Sequence, residues 1–310
     1  MKVGIVGTGA VGAACAMATL TRGCASEVIL VNRSRDRSKG MAADMGYGAP
    51  LSSVTKITAG EYSDLAGAAL IMITVGVNEK TGGATDRNDP LGRLRLLDKN
   101  AAVYRDVVPR IVAVAPDSAL LVVTDPPDPL ADLTRRLAGH DRVLSTGTLL
   151  DSLRFRVHLG RRLNVAPVQI EAQVLGEHGT SQIFCWSGAR LGGVPIIDAF
   201  GECGLKQEDI QPSIENEVRF ANISIIEGIG ASQYGIGMVC ARIAEIVLRD
   251  ERAVVPIGSY NSRYELTLSL PSIVGRRGCL QILDPPLSDD EQTGLKRSIE
   301  ALRKAQDRIR

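Results

Sequence analysis

Short apolar runs alternate with longer stretches of mixed polarity along the first half of the chain. The runs are Lys2 to Val6, Glu27 to Val31, Val54 to Ala59, Ala69 to Val75, Ala119 to Thr124 and Val143 to Ser145. Most are near-continuously apolar and rich in Val, Ile and Leu, the pattern of strands buried on both faces. Between them, Ala13 to Thr21, Arg35 to Tyr47, Leu91 to Ala115 and Leu130 to Ala138 have helical composition. This alternation implies βαβ units, a parallel sheet and right-handed crossovers. The second half has a different pattern. Asp151 to Leu163 reads as a helix, Val168 to Leu175 as a strand and Ile214 to Arg249 as one long helical stretch. Ala253 to Tyr260 and Tyr264 to Leu270 alternate and suggest an antiparallel pair. Ser288 is placed to cap a charged C-terminal helix with Asp289, Asp290 and Glu291 in its first turn.

The first strand runs into Gly7-Thr8-Gly9-Ala10-Val11-Gly12 and then a helix, with a second strand following. This is the context that turns a G-x-G-x-x-G pattern into a dinucleotide site. Gly7 permits the tight turn, Gly9 lets the backbone approach a pyrophosphate and Gly12 lets helix and strand pack closely. The helix N-terminus presents free N–H groups to the phosphates. The expected fold is therefore α/β. A Rossmann doubly wound parallel sheet over residues 1–146 precedes an α+β substrate domain over residues 147–310. At the end of the second strand an NAD site usually carries an acid for the ribose hydroxyl. Here Asn32 stands there, followed by Arg33, Ser34 and Arg35. Asn32 removes a charge that would repel a 2′-phosphate, Arg33 offers a fork for its oxygens and Ser34 offers a hydroxyl. The reading is NADP, with NAD as the alternative; a solvated basic turn would look the same.

The chain has 310 residues, 45% of them hydrophobic, and a formal net charge of +1. That balance gives ample core and no electrostatic case for nucleic acid or an anionic membrane. The first residues read as strand rather than signal peptide, and no apolar run approaches a membrane span. Cys15, Cys24, Cys185, Cys203, Cys240 and Cys279 lack metal-ligand spacing and read as reduced residues, which fits a cytoplasmic protein. No metal site is visible.

Three features could carry chemistry. His178 lies in Gly176-Glu177-His178-Gly179 directly after an apolar run, with the exposure and backbone freedom of a proton donor near neutral pH. A structural turn histidine is the alternative. His140 and His158 read as surface residues. Asp151 and Arg154, three apart, share a helix face; Asp151 could orient a histidine and Arg154 could grip a carboxylate. A surface ion pair is the plainer reading. Gly76 to Arg93 is a long loop leaving the carboxyl end of a strand, where ligands bind in open α/β sheets. Arg87 and Arg93 are its side chains able to reach an anionic substrate.

These segments resemble the lactate/malate dehydrogenase family nearly end to end. The shared motifs are GTGAVG at Gly7 to Gly12, TVG at Thr74 to Gly76, VVTDPPD at Val122 to Asp128 and LLDSLRFR at Leu149 to Arg156. VLGEHG at Val174 to Gly179, GASQYGIG at Gly230 to Gly237, LPSIVGRRG at Leu270 to Gly278 and PLSDDE at Pro286 to Glu291 continue the match. The resemblance implies hydride transfer between a nicotinamide and C2 of a 2-oxo/2-hydroxy acid. It implies His178 as proton donor, Asp151 as its orienting carboxylate, Arg154 as carboxylate clamp and Arg93 as the lid arginine that polarises the C2 carbonyl. It places Ser232 in the substrate pocket and Val75, Gly76, Thr124 and Thr146 on the cofactor. It also implies a homodimer or homotetramer.

Four departures from the family pattern stand out. Asn32 replaces the usual acid. Asp125 stands where the family has Asn beside substrate, and an added carboxylate there should repel an oxo acid or welcome a cationic imine. Thr180 replaces a common Asp. The lid is about eight residues longer than a typical short loop. Counting back from Arg93 makes Arg87 the specificity residue and hints at malate, whereas counting forward from Gly76 gives Glu79, which does not. The expected activity is an NADP-preferring L-2-hydroxyacid dehydrogenase of lactate type. Malate dehydrogenase, an imine or ketimine reductase, and a non-catalytic NADP sensor are the alternatives.

Overall fold

Six parallel strands and three antiparallel ones make a single nine-stranded sheet in the computed structural model, which describes residues 1–310 except 53, 54, 87, 88, 90 and 91 and the side chains of 92 and 93. The first half gives β1 (Lys2–Val6), α1 (Ala10–Arg22), β2 (Glu27–Val31), α2 (Arg35–Gly48), β3 (Lys56–Gly60) and β4 (Leu70–Ile73). It continues with α3 (Glu79–Gly82), α4 (Gly92–Val114), β5 (Ala119–Val122), α5 (Pro127–Ala138), β6 (Val143–Ser145) and α6 (Leu149–Leu163). The second half gives β7 (Ile170–Glu171), β8 (Val174–Leu175), β9 (Ile183–Phe184), β10 (Arg190–Leu191), β11 (Val194–Pro195) and α7 (Ile196–Glu202). Then follow α8 (Gln207–Arg219), α9 (Ala221–Ile229), α10 (Tyr234–Arg249), β12 (Ala253–Asn261), β13 (Leu266–Gly275), β14 (Gly278–Ile282) and α11 (Asp289–Arg308).

The sheet order is β3-β2-β1-β4-β5-β6-β12-β13-β14. Its parallel half is doubly wound, and the side-chain alternation shows why. Leu70, Met72, Leu121 and Leu144 face one core, with Ile243 and Val247 of α10. Ile71, Ile73, Leu120 and Val122 face the other, with Leu97, Tyr104 and Leu130 of α4 and α5. Strands covered on both sides have no polar face to show, hence the unbroken apolar runs. The sheet continues past residue 146, because β12 pairs antiparallel with β6 through Gly258↔Ser145 and Ser259↔Leu144.

A two-stranded hairpin, β8–β9, lies between two further cores. Val174 and Phe184 pack with Phe155, Trp186, Phe200 and Ile214 on one side. Leu175 and Ile183 pack with Leu268, Leu295, Ile299 and Leu302 on the other. Phe155 meets Phe184 and Trp186 edge-on, at centroid distances of 5.3 and 4.8 Å. The hairpin is thus held from both faces, and its loop carries residues 176–182.

Several sequence expectations are corrected. Val168 to Leu175 is not one strand: a 3-10 turn at Pro167–Gln169 precedes the two-residue strands β7 and β8. Ile214 to Arg249 is not one helix but parts of three, broken at Phe220 and at Gly230, whose left-handed φ of 83° ends α9. The antiparallel pair gains a third strand, β14. The loop after β4 holds the short helix α3. Nor are the two remaining histidines free surface groups. His158 pairs with Glu217 at 2.6 Å, tying α6 to α8, and half-buried His140 accepts from the Arg142 N–H at 3.3 Å. Ser288 caps α11 as expected, in a reciprocal box with Glu291. All six cysteines are free thiols, Cys203 alone among them exposed.

Candidate active site

The sheet order reverses between β1 and β4, and the turns leaving these strands splay apart there. Gly7 adopts a φ of 104° against Val75. A side chain on Gly12 would collide with the Gly7 carbonyl oxygen, so only glycine lets α1 start this close to β1. Thr74 Oγ1 donates to that same carbonyl at 2.8 Å. Beyond the turn, space is open where a Gly9 side chain would be, and no side chain caps α1. The Thr8 hydroxyl is buried with no partner among the described residues. Uncapped helix N–H groups beside an open glycine fit the phosphates of a dinucleotide.

At the end of β2, Asn32 Nδ2 donates to the Ser34 carbonyl at 3.2 Å. The Ser34 hydroxyl oxygen already accepts from the Arg37 N–H as the cap of α2, which leaves its proton to offer. Arg37 Nε donates to the Thr8 carbonyl at 2.7 Å and so braces the glycine turn. Arg35 is paired with Glu61. Arg33 is exposed.

Strand ends β4 and β5 are joined by Asn100 of α4, fully buried. Its Oδ1 accepts from the Val77 N–H at 2.7 Å and its Nδ2 donates to the Asp125 carbonyl at 2.8 Å. Thr124 Oγ1 donates to the Val75 carbonyl at 2.6 Å.

The β8–β9 loop brings His178 to the same place. His178 Nδ1 lies 2.6 Å from Asp151 Oδ2, and Asp151 Oδ1 accepts from Arg154 at 3.0 Å. Burial pushes the Asp151 carboxyl up, but the imidazole and Arg154 outweigh it and hold the group below its ordinary value. The carboxylate therefore stays charged and fixes the ring with Nδ1 toward it. The other ring nitrogen, Nε2, stands 3.8 Å from Asp125 Oδ1. Backbone holds the loop as well: Gly176 and Ser269 exchange N–H···O bonds at 2.8 and 2.9 Å, and the Glu177 N–H donates to Ser298 Oγ at 2.7 Å.

Asp128 is the residue that pattern reading missed. It is fully buried in the first turn of α5, accepts from Ser145 Oγ, and takes the His178 backbone N–H at 2.8 Å. Burial pushes its carboxyl up to about 6, against the pull of those hydrogen bonds. The available signal was a pair of acids, Asp128 and Asp132, four apart on an otherwise apolar helix face. Asp132 is likewise buried and accepts from Thr267.

One cavity of about 210 Å³ connects these parts. Gly9, Ala10, Val11, Thr74 and Gly76 line one end, and Thr124, Thr146 and Gly147 the middle. Asp125, Arg154, His178 and Ser232 line the other end, with Leu150, Asn222 and Ile236, which sequence reading did not single out. Asp151 lies behind His178, at 1% exposure, and Val75 lies behind the strand ends. Asn32, Arg33 and Ser34 stand outside the cavity, at the β2 end. Arg87 lies outside the described residues, as does the side chain of Arg93. Among the described residues no cluster of three or more His, Cys, Asp or Glu could hold a metal ion, and no helix is long and apolar enough to cross a membrane.

Residues 1–144 match the sequence profile of the lactate/malate dehydrogenase NAD-binding domain, and residues 148–310 that of the alpha/beta C-terminal domain of the same family. The chain is 43% identical to an L-lactate dehydrogenase of Deinococcus radiodurans, over 98% of this chain and 97% of that one. It is 40% identical to an L-lactate dehydrogenase of Chloroherpeton thalassium, over 98% of each. Its fold superposes on a lactate dehydrogenase from a Medee basin deep-sea metagenome library with a TM-score of 0.92, at 32% identity over 99% and 98% of the two chains. With a nicotinamide-type cradle and a His–Asp–Arg set on one cavity, the chain belongs to the lactate/malate dehydrogenase family and is an NAD(P)-dependent 2-hydroxyacid dehydrogenase.

Proposed function

We propose that the enzyme interconverts a lactate-type L-2-hydroxy acid and its 2-oxo acid, using NADP(H) in preference to NAD(H). The observation that carries this reading is the single cavity lined at one end by the N-terminus of α1 and at the other by His178 and Arg154. When bound, the dinucleotide supplies or takes the hydride at C2 of the acid. Arg154 holds the substrate carboxylate through parallel N–H···O bonds. His178 Nε2 gives its proton to the C2 oxygen as negative charge develops there, and takes it back in the oxidative direction. Asp151 keeps the ring oriented and stabilises its cation. Arg93, at the start of α4, is assigned the polarisation of the C2 carbonyl. Asn32 and Arg33 support the 2′-phosphate, since neither is an acid that would repel it at the end of β2.

The test is oxidation of NADPH and, separately, NADH, followed by absorbance, with pyruvate, oxaloacetate, longer 2-oxo acids and cyclic imines. Turnover of pyruvate with NADPH favoured is expected. Failure of every 2-oxo acid would sink the activity, and a preference for NADH would sink the cofactor assignment alone.

Asp125 favours one second reading, reduction of a cationic imine, because its carboxylate enters the substrate end of the cavity beside His178. On that reading Asp125→Asn lowers imine turnover and raises 2-oxo acid turnover; the opposite change rejects it. Oligomerisation is supported by Met17 of α1, Ile225 and Ile229 of α9 and Tyr234 and Met238 of α10, all exposed. With cytoplasmic location and a domain boundary at residue 146, it completes the proposed description.

A further inference from the structure

Loop 176–182 carries His178 and is held to the rest of the fold at several points. Gly176 is bonded to Ser269 of β13, the Glu177 N–H to Ser298 of α11 and the His178 N–H to Asp128 of α5. These bonds lie at or before His178. After it, Ser181 Oγ reaches Ser298 Oγ at 3.3 Å, and the Thr180 carbonyl accepts from the guanidinium of Arg219, the last residue of α8. Arg219 is itself well fixed. Its guanidinium stands 5.5 Å from the centroid of the Phe184 ring on β9, a cation–π contact. A second guanidinium nitrogen faces Glu215, one helical turn earlier, at 3.6 Å. Glu215 is anchored in turn by Trp186 Nε1 at 2.9 Å.

Arg219 also stands at a junction. Past the break at Phe220 the chain enters α9, and Asn222 of α9 lines the substrate end of the active-site cavity with Ser232. On its other side α8 is tied to α6 by His158 and Glu217 at 2.6 Å, and α6 supplies Asp151 and Arg154. Three parts of the site therefore meet through α8. They are the helix that holds the imidazole and the carboxylate clamp, the wall against which a substrate lies, and the loop that delivers the proton. The Asp151 bond fixes the direction of the ring but not how far its loop stands from the wall. Ser269, Ser298 and Asp128 tie the loop to residues outside the cavity lining. Of these anchors, Arg219 alone belongs to the segment that continues into the substrate wall.

We propose that Arg219 is a positioning residue: by locking the Thr180 carbonyl to the α8–α9 junction, it sets the separation between His178 Nε2 and the C2 oxygen of the substrate. The inference rests on the reading of His178 as proton donor. Proton transfer needs a heavy-atom separation of about 2.6–3.2 Å, and a misplacement of about 1 Å can cost a hundredfold in rate. In Arg219→Ala, kcat with the best 2-oxo acid falls about ten- to a hundredfold, per active site counted by dinucleotide binding. KM holds, because Arg154 still grips the carboxylate. Arg219→Lys regains most of kcat, since its ammonium also donates to a carbonyl. The decisive readout is a double-mutant cycle. In a His178→Gln background, Arg219→Ala lowers kcat no further, because a residue that acts through His178 has nothing left to position. Equal loss in both backgrounds, no recovery with lysine, or unchanged kcat in Arg219→Ala overturns the inference. Unchanged kcat in His178→Gln alone overturns the proton-donor reading, and the inference with it.

Discussion

At the Gly7–Gly12 turn, the groups facing the cavity are backbone, and they come from one stretch of chain. At the opposite end they are side chains brought from the segment before α5, from α6 and from the β8–β9 loop, where His178 is held by bonds spanning 27 and 50 residues. A backbone cradle needs room, so it is written as glycine. A side-chain constellation needs orientation, so it is written as carboxylates whose partners are distant. The first kind is damaged by adding atoms and the second by removing hydrogen-bond partners.

The sharpest break in this comparison is His178→Gln. It keeps a polar ring-sized group but no titratable nitrogen, and kcat should fall about a hundred- to ten-thousand-fold. Dinucleotide affinity, read by fluorescence titration, should stay unchanged, because no bond of the glycine turn reaches His178. An equal loss of dinucleotide affinity would show that the two ends are one unit.

Gly12→Ala runs the opposite way. Its methyl group would press on the Gly7 carbonyl and Thr74 Oγ1, so α1 must move off β1. Overpacking of this kind costs about 1–3 kcal/mol. The expected result is a lower Tm and weaker dinucleotide binding, with kcat retained at saturating cofactor. Full dinucleotide affinity in this variant would mean that close approach of helix and strand is not what Gly12 provides.

The same contrast governs what could be read beforehand. The parallel half was legible because both of its signals are local: apolar runs for strands buried on two faces, and a glycine pattern for the turn. The His178, Asp151 and Arg154 positions were legible by resemblance and by residue type, and the Asp151–Arg154 pair by its spacing within one helix, whereas the 2.6 Å connection of Asp151 to His178 depends on how α6 meets the hairpin. The stretches 168–175 and 214–249 differ from the elements expected of them for a related reason. β7 and β8 are two residues each, too short to show a period. The breaks between α8, α9 and α10 interrupt a composition that stays helical throughout. Asp128 and Asn100 carry no role at the sequence level because a buried polar residue is ordinary in sequence until its partners are known.

Asp128 also supplies the smallest and most specific test. In the native protein burial raises its carboxyl from 3.8 to about 6, so the folded state favours the protonated form. The sign follows from linkage. Its stabilising contribution is full below the unfolded value and is lost as pH rises through the folded one. Between pH 5 and 7 this loss amounts to about 1 kcal/mol. Asp128→Asn cannot titrate, so wild-type stability relative to this variant should fall by about that much across the interval, measured by denaturant unfolding at each pH. The amide oxygen still accepts from one of the two donors, Ser145 or the His178 N–H, so the loop should keep its place and kcat should move little beside the His178→Gln loss. A flat stability difference from pH 5 to 7 would mean that Asp128 is charged throughout. A collapse of kcat in Asp128→Asn would instead make the hydrogen bond to the His178 backbone, rather than the one to its ring, the bond that sets the catalytic end apart from the glycine turn.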